Sequence, residues 1–600
     1  MYPPHPSLMR NLLCLLSLFV TTSVIAQPLN IIWIVIEDAS PHIGCYGETA
    51  IETPTLDQMA AHGIRFESAF VTAPVCSSSR SAMVSGMYQM TLGAHNHRSQ
   101  TATGKGSTNE AYQDSYRLPV KLVPELFRDA GYYVTNNGKT DYNFIPKSEV
   151  YHGKDWTQAP PDQPIFAQFQ LSGGKNRKAE KHADPDTLKL PPYYPDHPVI
   201  RKDWATYLDS WVKTDKEVAS ILAKLDKAGR LDSTAVFLWT DHGISHLRGK
   251  QFLYEEGIRI PLIVQLPEKE DAGLVREDII EHIDIAATSL ALAGIAIPDY
   301  LQGRDFLSDH HVPRDHLFIG RDRCDETVDI IRGIRDERFK FIRNFMSHVS
   351  HAQPNQYKDG KTIIKTLREL NSLDVLTESQ AQAFLSRRPT EELYDLKNDP
   401  NELINLATDP KHQDRLVSMR QLLYRRMLEE RDMGLIPEPI LEDLGRVAGS
   451  KYTAFLATDR IEQTQRLISV ISAGENNEAE TLLTFTNSPD PSTRYWAAVW
   501  LGVNLSKEAQ PALTQLTQDD DKTVRIAAAQ ALYKLGDESF LPLLIELIND
   551  SNLLVGMYAL RAIEELGDDG KTFSKQIAQE QDSDYEFSRR IANRLIEKWR

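Results

Sequence analysis

The chain has 600 residues, too many for one hydrophobic core, so about two to four domains are expected. A charged fraction of 25% and a hydrophobic fraction of 41% exclude a disordered or fibrous chain. The net charge of -17 excludes a broad nucleic-acid or anionic-membrane surface, which counterion release would require to be basic, so an anionic substrate must be held by a few local cations.

Arg10 precedes the apolar run 11–20, and Val24-Ile25-Ala26 supplies small residues at cleavage-like positions. This predicts a signal peptide over residues 1–26 and a periplasmic or secreted product. No later segment is apolar enough to span a bilayer. Beyond the leader stand Cys45, Cys76 and Cys324, an odd set without metal-ligand spacing, which argues against a disulfide framework or a zinc knuckle.

Leu29-Asn-Ile-Ile-Trp-Ile-Val-Ile36 is a continuous β-branched run of the kind covered on both faces, and it ends at Glu37-Asp38. Thr234 to Trp239 is a second such strand and runs into Asp241-His242. In parallel α/β sheets ligands collect at the carboxyl ends of strands, so the two acidic ends point to one shared site. Helical periodicity lies between them at 118–130 and 204–228. Gly333 to Arg343 then alternates like antiparallel strands, with a helix near 411–430.

Thr493, Val524 and Val555 recur 31 residues apart, as do Ala497, Ala528 and Ala559. Asp490, Asp521 and Asn552 stand where they would cap the matching helices. The segment resembles HEAT-like repeats, which offer a surface for a protein partner or an oligomer contact but no chemistry of their own. The expected organisation is a leader at 1–26, an α/β catalytic domain at 27–310, a smaller antiparallel subdomain at 311–435 and helical repeats at 450–600.

Cys76-Ser-Ser-Ser-Arg80 brackets hydroxyls between a cysteine and an arginine at what reads as a helix start, where free N–H groups and the helix dipole suit an anion. On its own Cys76 fits either an activated thiol or a buried small residue. Glu37, Asp38 and Asp241 supply enough carboxylate for a hard divalent ion.

Cys76-Ser-Ser-Ser-Arg80 resembles the Cys-x-Pro-Ser-Arg signature of the type I formylglycine-dependent sulfatases, in the alkaline-phosphatase-like superfamily, with Ser78 where proline or alanine is usual. Glu37-Asp38 resembles the family's acidic pair after the first strand, and Asp241-His242-Gly243 its later Asp-Asn-Gly. Lys139, in Gly138-Lys139-Thr140-Asp141, resembles the lysine of Gly-Lys-x-His, with Asp141 in place of histidine. Lys250 in Gly249-Lys250-Gln251 matches the second sulfate-binding lysine. The resemblance covers about residues 28–430.

That resemblance implies a mixed sheet sandwiched by helices and a hydrolase of sulfate esters on polysaccharide-derived glycans. It implies conversion of Cys76 to formylglycine by a formylglycine-generating or anaerobic maturation enzyme, with Arg80, Lys139 and Lys250 binding sulfate. One calcium ion per chain is implied on Glu37, Asp38, Cys76, Asp241 and His242. Phe166 to Gly174 matches the strand after which the family places a leaving-group histidine, and none follows directly. His182, His242 and His246 stay open for that role, each fitting a surface residue or an ordinary ligand equally well. N-sulfoglucosamine hydrolysis, phosphodiester or phosphonate hydrolysis, and an inactive domain that binds sulfated glycans are the alternatives.

Overall fold

A computed structural model describes residues 28–99, 115–267 and 271–600; the expected leader, residues 1–26, lies outside them. The first apolar run forms β1 (Asn30–Ile36), every residue of it buried. β2 (Ile64–Phe66), β3 (Tyr133–Asn136), β4 (Ile165–Leu171), β5 (Thr234–Thr240), β6 (Leu262–Gln265) and β7 (Leu274–Arg276) complete one sheet, in the order β3-β4-β1-β5-β6-β2-β7. β1 pairs in parallel with β4 and β5, whereas β6 runs antiparallel to β5 and β2, so the sheet is mixed.

The register sets Ile36 opposite both Leu171 and Thr240. Three parallel strands therefore end level, and the segments that follow them leave the sheet along one edge. Beneath that edge Trp33 meets Phe166 and Trp239 edge-on, with ring centroids at 5.0 and 5.3 Å. Its Nε1–H donates to Ser289 Oγ at 2.9 Å, which satisfies the indole inside an apolar core.

α1 (Cys76–Ser85) is buried along its whole length despite five serines. Burial is tolerable because the hydroxyls find carbonyls: Ser81 and Ser85 donate to Ser77 and Ser81, one turn back, and Ser78 donates to His95. α2 (Val123–Asp129) is shorter than the periodicity at 118–130 predicts. Pro124 fills its first turn, and the Glu125 carboxylate accepts the Leu122 N–H at 2.8 Å, which sets the start there. α3 (Pro198–Lys227) is longer than expected, because Pro198 is pre-set for a first turn and His197 Nδ1 accepts the Val199 N–H at 3.2 Å.

β8 (Leu317–Arg321), β9 (Ile331–Arg335), β10 (Phe339–Asn344) and β11 (Glu391–Asp395) form an antiparallel sheet in chain order, and α4 (Gln413–Glu429) packs on β9 and β10. The remaining helices include α5 (Glu438–Ala448), α6 (Pro491–Val503), α7 (Lys522–Lys534), α8 (Leu553–Glu565) and α9 (Glu586–Trp599). Asp490, Asp521 and Asn552 do cap α6, α7 and α8, accepting N–H groups of the first turns. The recurring Ala497, Ala528 and Ala559 are fully buried, and a Cβ on Gly502 would lie 2.7 Å from Ala531 Cα, so the array stacks backbone against backbone. One hydrophobic cluster runs from Phe318, Phe341 and Leu393 through Leu423 into Leu467, Trp496, Leu501 and Leu532. The repeats thus share a core with the second sheet.

Because Ala528 sits in that seam, Ala528→Leu should destabilise the array by about 1–3 kcal/mol through overpacking. Urea unfolding followed by circular dichroism should show the lower midpoint.

Candidate active site

The nucleophile candidate stands first on α1: Val75 is extended and no side chain caps the helix, so its leading N–H groups face the space around Cys76. Cys76 is 1% exposed. Its Sγ lies 2.9 Å from Lys250 Nζ, 3.1 Å from His242 Nε2, 3.7 Å from Asp38 Oδ1 and 3.9 Å from Lys175 Nζ. Burial alone would raise the thiol pKa, but Lys139, Lys175, Lys250 and His242 override it and pull Cys76 down to about 6. Whatever stabilises a thiolate here also stabilises the oxygens of a bound anion.

The acids arrive from the level ends of β1 and β5. Asp38 takes a left-handed φ of 51°, and its N–H donates to Asp241 Oδ1 at 3.0 Å, which ties the two strand ends together. The turn after β4 presses on the same point: a Cβ on Gly174 would lie 2.0 Å from the Asp38 carbonyl oxygen, and one on Gly173 2.4 Å from that of Glu37. Only a glycine pair permits that approach, and it delivers Lys175 to Glu37 and, at 3.5 Å, to Asp38.

Arg80 is fully buried; it donates to Asp241 at 3.0 Å and Gln170 at 2.6 Å and lies 3.5 Å from Glu37. Lys139 sits 3.2 Å from both Glu37 and Asp141, and Asp141 accepts two hydrogen bonds from Arg98 at 2.8 and 3.0 Å. Tyr357 OH donates to Asp38 Oδ2 at 2.9 Å. Burial would keep Asp38 neutral, but Lys175, Lys250 and His242 hold it well below the usual carboxylate range.

Asp38, Cys76, Asp241 and His242 each turn one ligand atom into a common space, all within 4.8 Å of one another. The donor set suits a divalent cation: two buried carboxylates, and an imidazole whose Nδ1 faces the Gly243 carbonyl at 2.8 Å, leaving Nε2 toward the cluster. Burial opposes charge on His242, yet Asp241, Cys76 and Asp38 push its pKa up to about 10, so a cation bound on Nε2 would displace that proton. The Glu37 carboxylate is not one of the four and faces Lys139, Lys175 and Arg80 instead.

All of Glu37, Asp38, Cys76, Arg80, Lys139, Asp241, His242 and Lys250 therefore meet in one place. His182 does not join them: its ring lies near Glu180 at 3.7 Å and is 36% exposed. His246 faces Asp203 at 2.8 Å. Lys175 and Tyr357 were not expected. Gly173-Gly174, one residue past a buried strand, was the available signal for Lys175, whereas nothing local marks Tyr357.

A sulfatase family model matches residues 29–172 and 154–295, a model of the C-terminal part of N-sulphoglucosamine sulphohydrolase matches 242–378, and a HEAT-repeat model matches 479–587. The chain is 31% identical over 455 residues to an ulvan-active sulfatase of Formosa agariphila, covering 68% of this chain and 76% of that one. It is 24% identical to human N-sulphoglucosamine sulphohydrolase, over 70% of this chain and 94% of that one. Among solved structures, a sulfatase candidate from Bacteroides fragilis shares the fold at a TM-score of 0.50 and 18% identity, over 68% of this chain and 97% of that one.

Alkylation of unconverted Cys76 by iodoacetamide should rise with pH through about 6, the pKa its cations impose, rather than near the usual thiol value. Lys250→Met should move that midpoint upward, as read by peptide mass spectrometry across a pH series.

Proposed function

The chain belongs to the sulfatase family and is a sulfuric ester hydrolase, and from that premise we propose that it desulfates polysaccharide-derived glycans with a hydrated formylglycine at position 76. The observation that supports this reading is the convergence of Lys175 and Lys250 on the buried Cys76 at a helix start, with Arg80 and Lys139 on the adjoining Glu37. In this reading Cys76 Sγ stands in for one hydroxyl of the hydrated aldehyde. The leader-like segment 1–26 supports export, with a periplasmic or secreted enzyme as the result.

One hydroxyl of the hydrate loses its proton as it attacks sulfur in line; the S–O bond to the glycan breaks, and the electron pair of that bond leaves with the glycan oxygen, which takes up a proton. Arg80, Lys139, Lys175 and Lys250 bind the sulfonate oxygens as charge redistributes. The second hydroxyl of residue 76 then loses its proton, the C–O bond to sulfate breaks and the aldehyde returns, which water hydrates again. A serine or thiol at this position has no such exit. Asp38, Asp241 and His242, with Glu37 beside them, would hold a divalent ion, with calcium expected from the carboxylate donors. Bound there, the ion would neutralise charge on a sulfonate oxygen. Asp141, pinned by Arg98, orients Lys139.

The 31% identity to an ulvan-active sulfatase favours an O-sulfated polysaccharide as substrate class. The match of residues 242–378 to the N-sulphoglucosamine sulphohydrolase model carries a second reading, cleavage of an N–S bond. Rates on O-sulfated ulvan oligosaccharides and on N-sulfated glucosamine separate the two.

The peptide carrying residue 76, from protein matured in its native host, should weigh about 18 Da less than the cysteine form; an unmodified cysteine there would overturn the mechanism. Lys250→Ala should lower kcat/KM on 4-nitrophenyl sulfate by at least about 100-fold with residue 76 still converted. Chelation should lower the unfolding temperature, and added calcium should restore it.

A further inference from the structure

A polar network with buried carboxylates at its centre joins α9 to the lysines of the site. On α9, Arg590 Nη1 lies 3.4 Å from Asp325 Oδ1 and 3.5 Å from Glu326 Oε2, and Arg594 Nη1 lies 2.9 Å from Glu326 Oε1. Asp325 and Glu326 are adjacent and buried, and Asp325 takes a left-handed φ of 52°. Two neighbouring buried carboxylates repel each other and would repel an anion nearby; each needs a cation, and α9 supplies both.

The carboxylate segment in turn holds the 96–99 loop, which follows the short helix Gln89–Leu92. Asp325 Oδ1 pairs with His97 Nδ1 at 3.2 Å, the His97 N–H donates to the Arg323 carbonyl at 2.9 Å, and the Arg323 N–H donates to Asn96 Oδ1 at 3.1 Å. Arg323 is anchored by Glu438 of α5, which also accepts from Ser99 Oγ at 2.6 Å, and its guanidinium covers the Phe587 ring of α9 at 5.1 Å. One residue after His97, the Arg98 N–H donates to Ser77 Oγ at 3.3 Å, beside Cys76, and its guanidinium holds Asp141, which holds Lys139. On the other side Cys324 Sγ accepts from Gln251 Nε2 at 3.0 Å, next to Lys250.

We infer that the helical array is a built part of the catalytic pocket, with Arg590 and Arg594 as positioning residues that act through Asp325, Glu326 and the 96–99 loop on Arg98, Asp141 and Lys139. The inference rests on the proposed function only in taking Lys139 as a sulfate-binding group. It makes the inner face of the array an internal support, whatever its outer face contacts. Coupling through such a network typically shifts a distant site several-fold.

The test uses full-length matured protein with Arg590→Met, Arg590→Lys and Arg594→Met, comparing hydrogen exchange of peptides covering 94–99 and 137–142 with kcat/KM on 4-nitrophenyl sulfate. Arg590→Met should speed exchange in both peptides, leave the β1 peptide unchanged and lower kcat/KM about 10-fold, with lysine restoring most of both. Arg594→Met, which leaves the Arg590–Asp325 pair in place, should give the same pattern at smaller size and serves if Arg590→Met does not fold. Faster exchange confined to residues 586–599, with unchanged kcat/KM, would overturn the inference. Transmitted exchange in the variants, together with a wild-type protein that cleaves no sulfate ester, would instead support the coupling and sink the functional reading.

Discussion

The centre of this molecule is a buried volume in which carboxylates and cations must coexist. Asp38 and Asp241 are wholly buried, and Arg80 and Lys250 lie against them with almost no exposure. An unpaired ion in such surroundings costs several kcal/mol, and removing one partner of a buried pair typically costs about 3–5 kcal/mol, so neither set can be buried without the other. The constraint fixes the geometry around it. The three central strands must end level, the turn after β4 must be a glycine pair, and α1 must enter with its N–H groups facing the same space. Net charge adds to this from outside: a chain at -17 offers an anion no general attraction, so the few cations around Cys76 must supply it locally.

Much of this was legible because the decisive signals are local. Continuous β-branched runs ending in acids mark β1 and β5, and the Cys76 to Arg80 motif lies within a single helical turn and a half. The repeats were legible from the interval between their alanines, since close stacking tolerates only small side chains at one spot.

What escaped was set by tertiary contact. Lys175 reads as one of several lysines in a polar stretch until the glycines before it bring its backbone against Asp38. Tyr357 reaches Asp38 across 319 residues of sequence, and no periodicity encodes such a meeting. Helix limits failed where prolines and backbone-accepting side chains outweighed periodicity, as at Pro124 with Glu125 and Pro198 with His197. The 96–99 loop and the 322–327 segment carry no regular pattern, and the pairing of Glu326 with α9 joins residues 264 and 268 positions apart.

The parallel pairing of β1 has a consequence for the order of events in the life of the chain. β1 lies between partners that follow it by more than a hundred and by about two hundred residues, so a chain emerging from its N-terminus cannot close the centre of the sheet until β5 has appeared. During that interval the Cys76 segment stays open to other proteins, and once the sheet closes residue 76 keeps 1% exposure, which leaves room for the end of a small molecule rather than a protein surface. A protein too large to enter the closed site would therefore reach residue 76 only on an unfinished chain, and long-range strand pairing, which is slow, would set the length of that window.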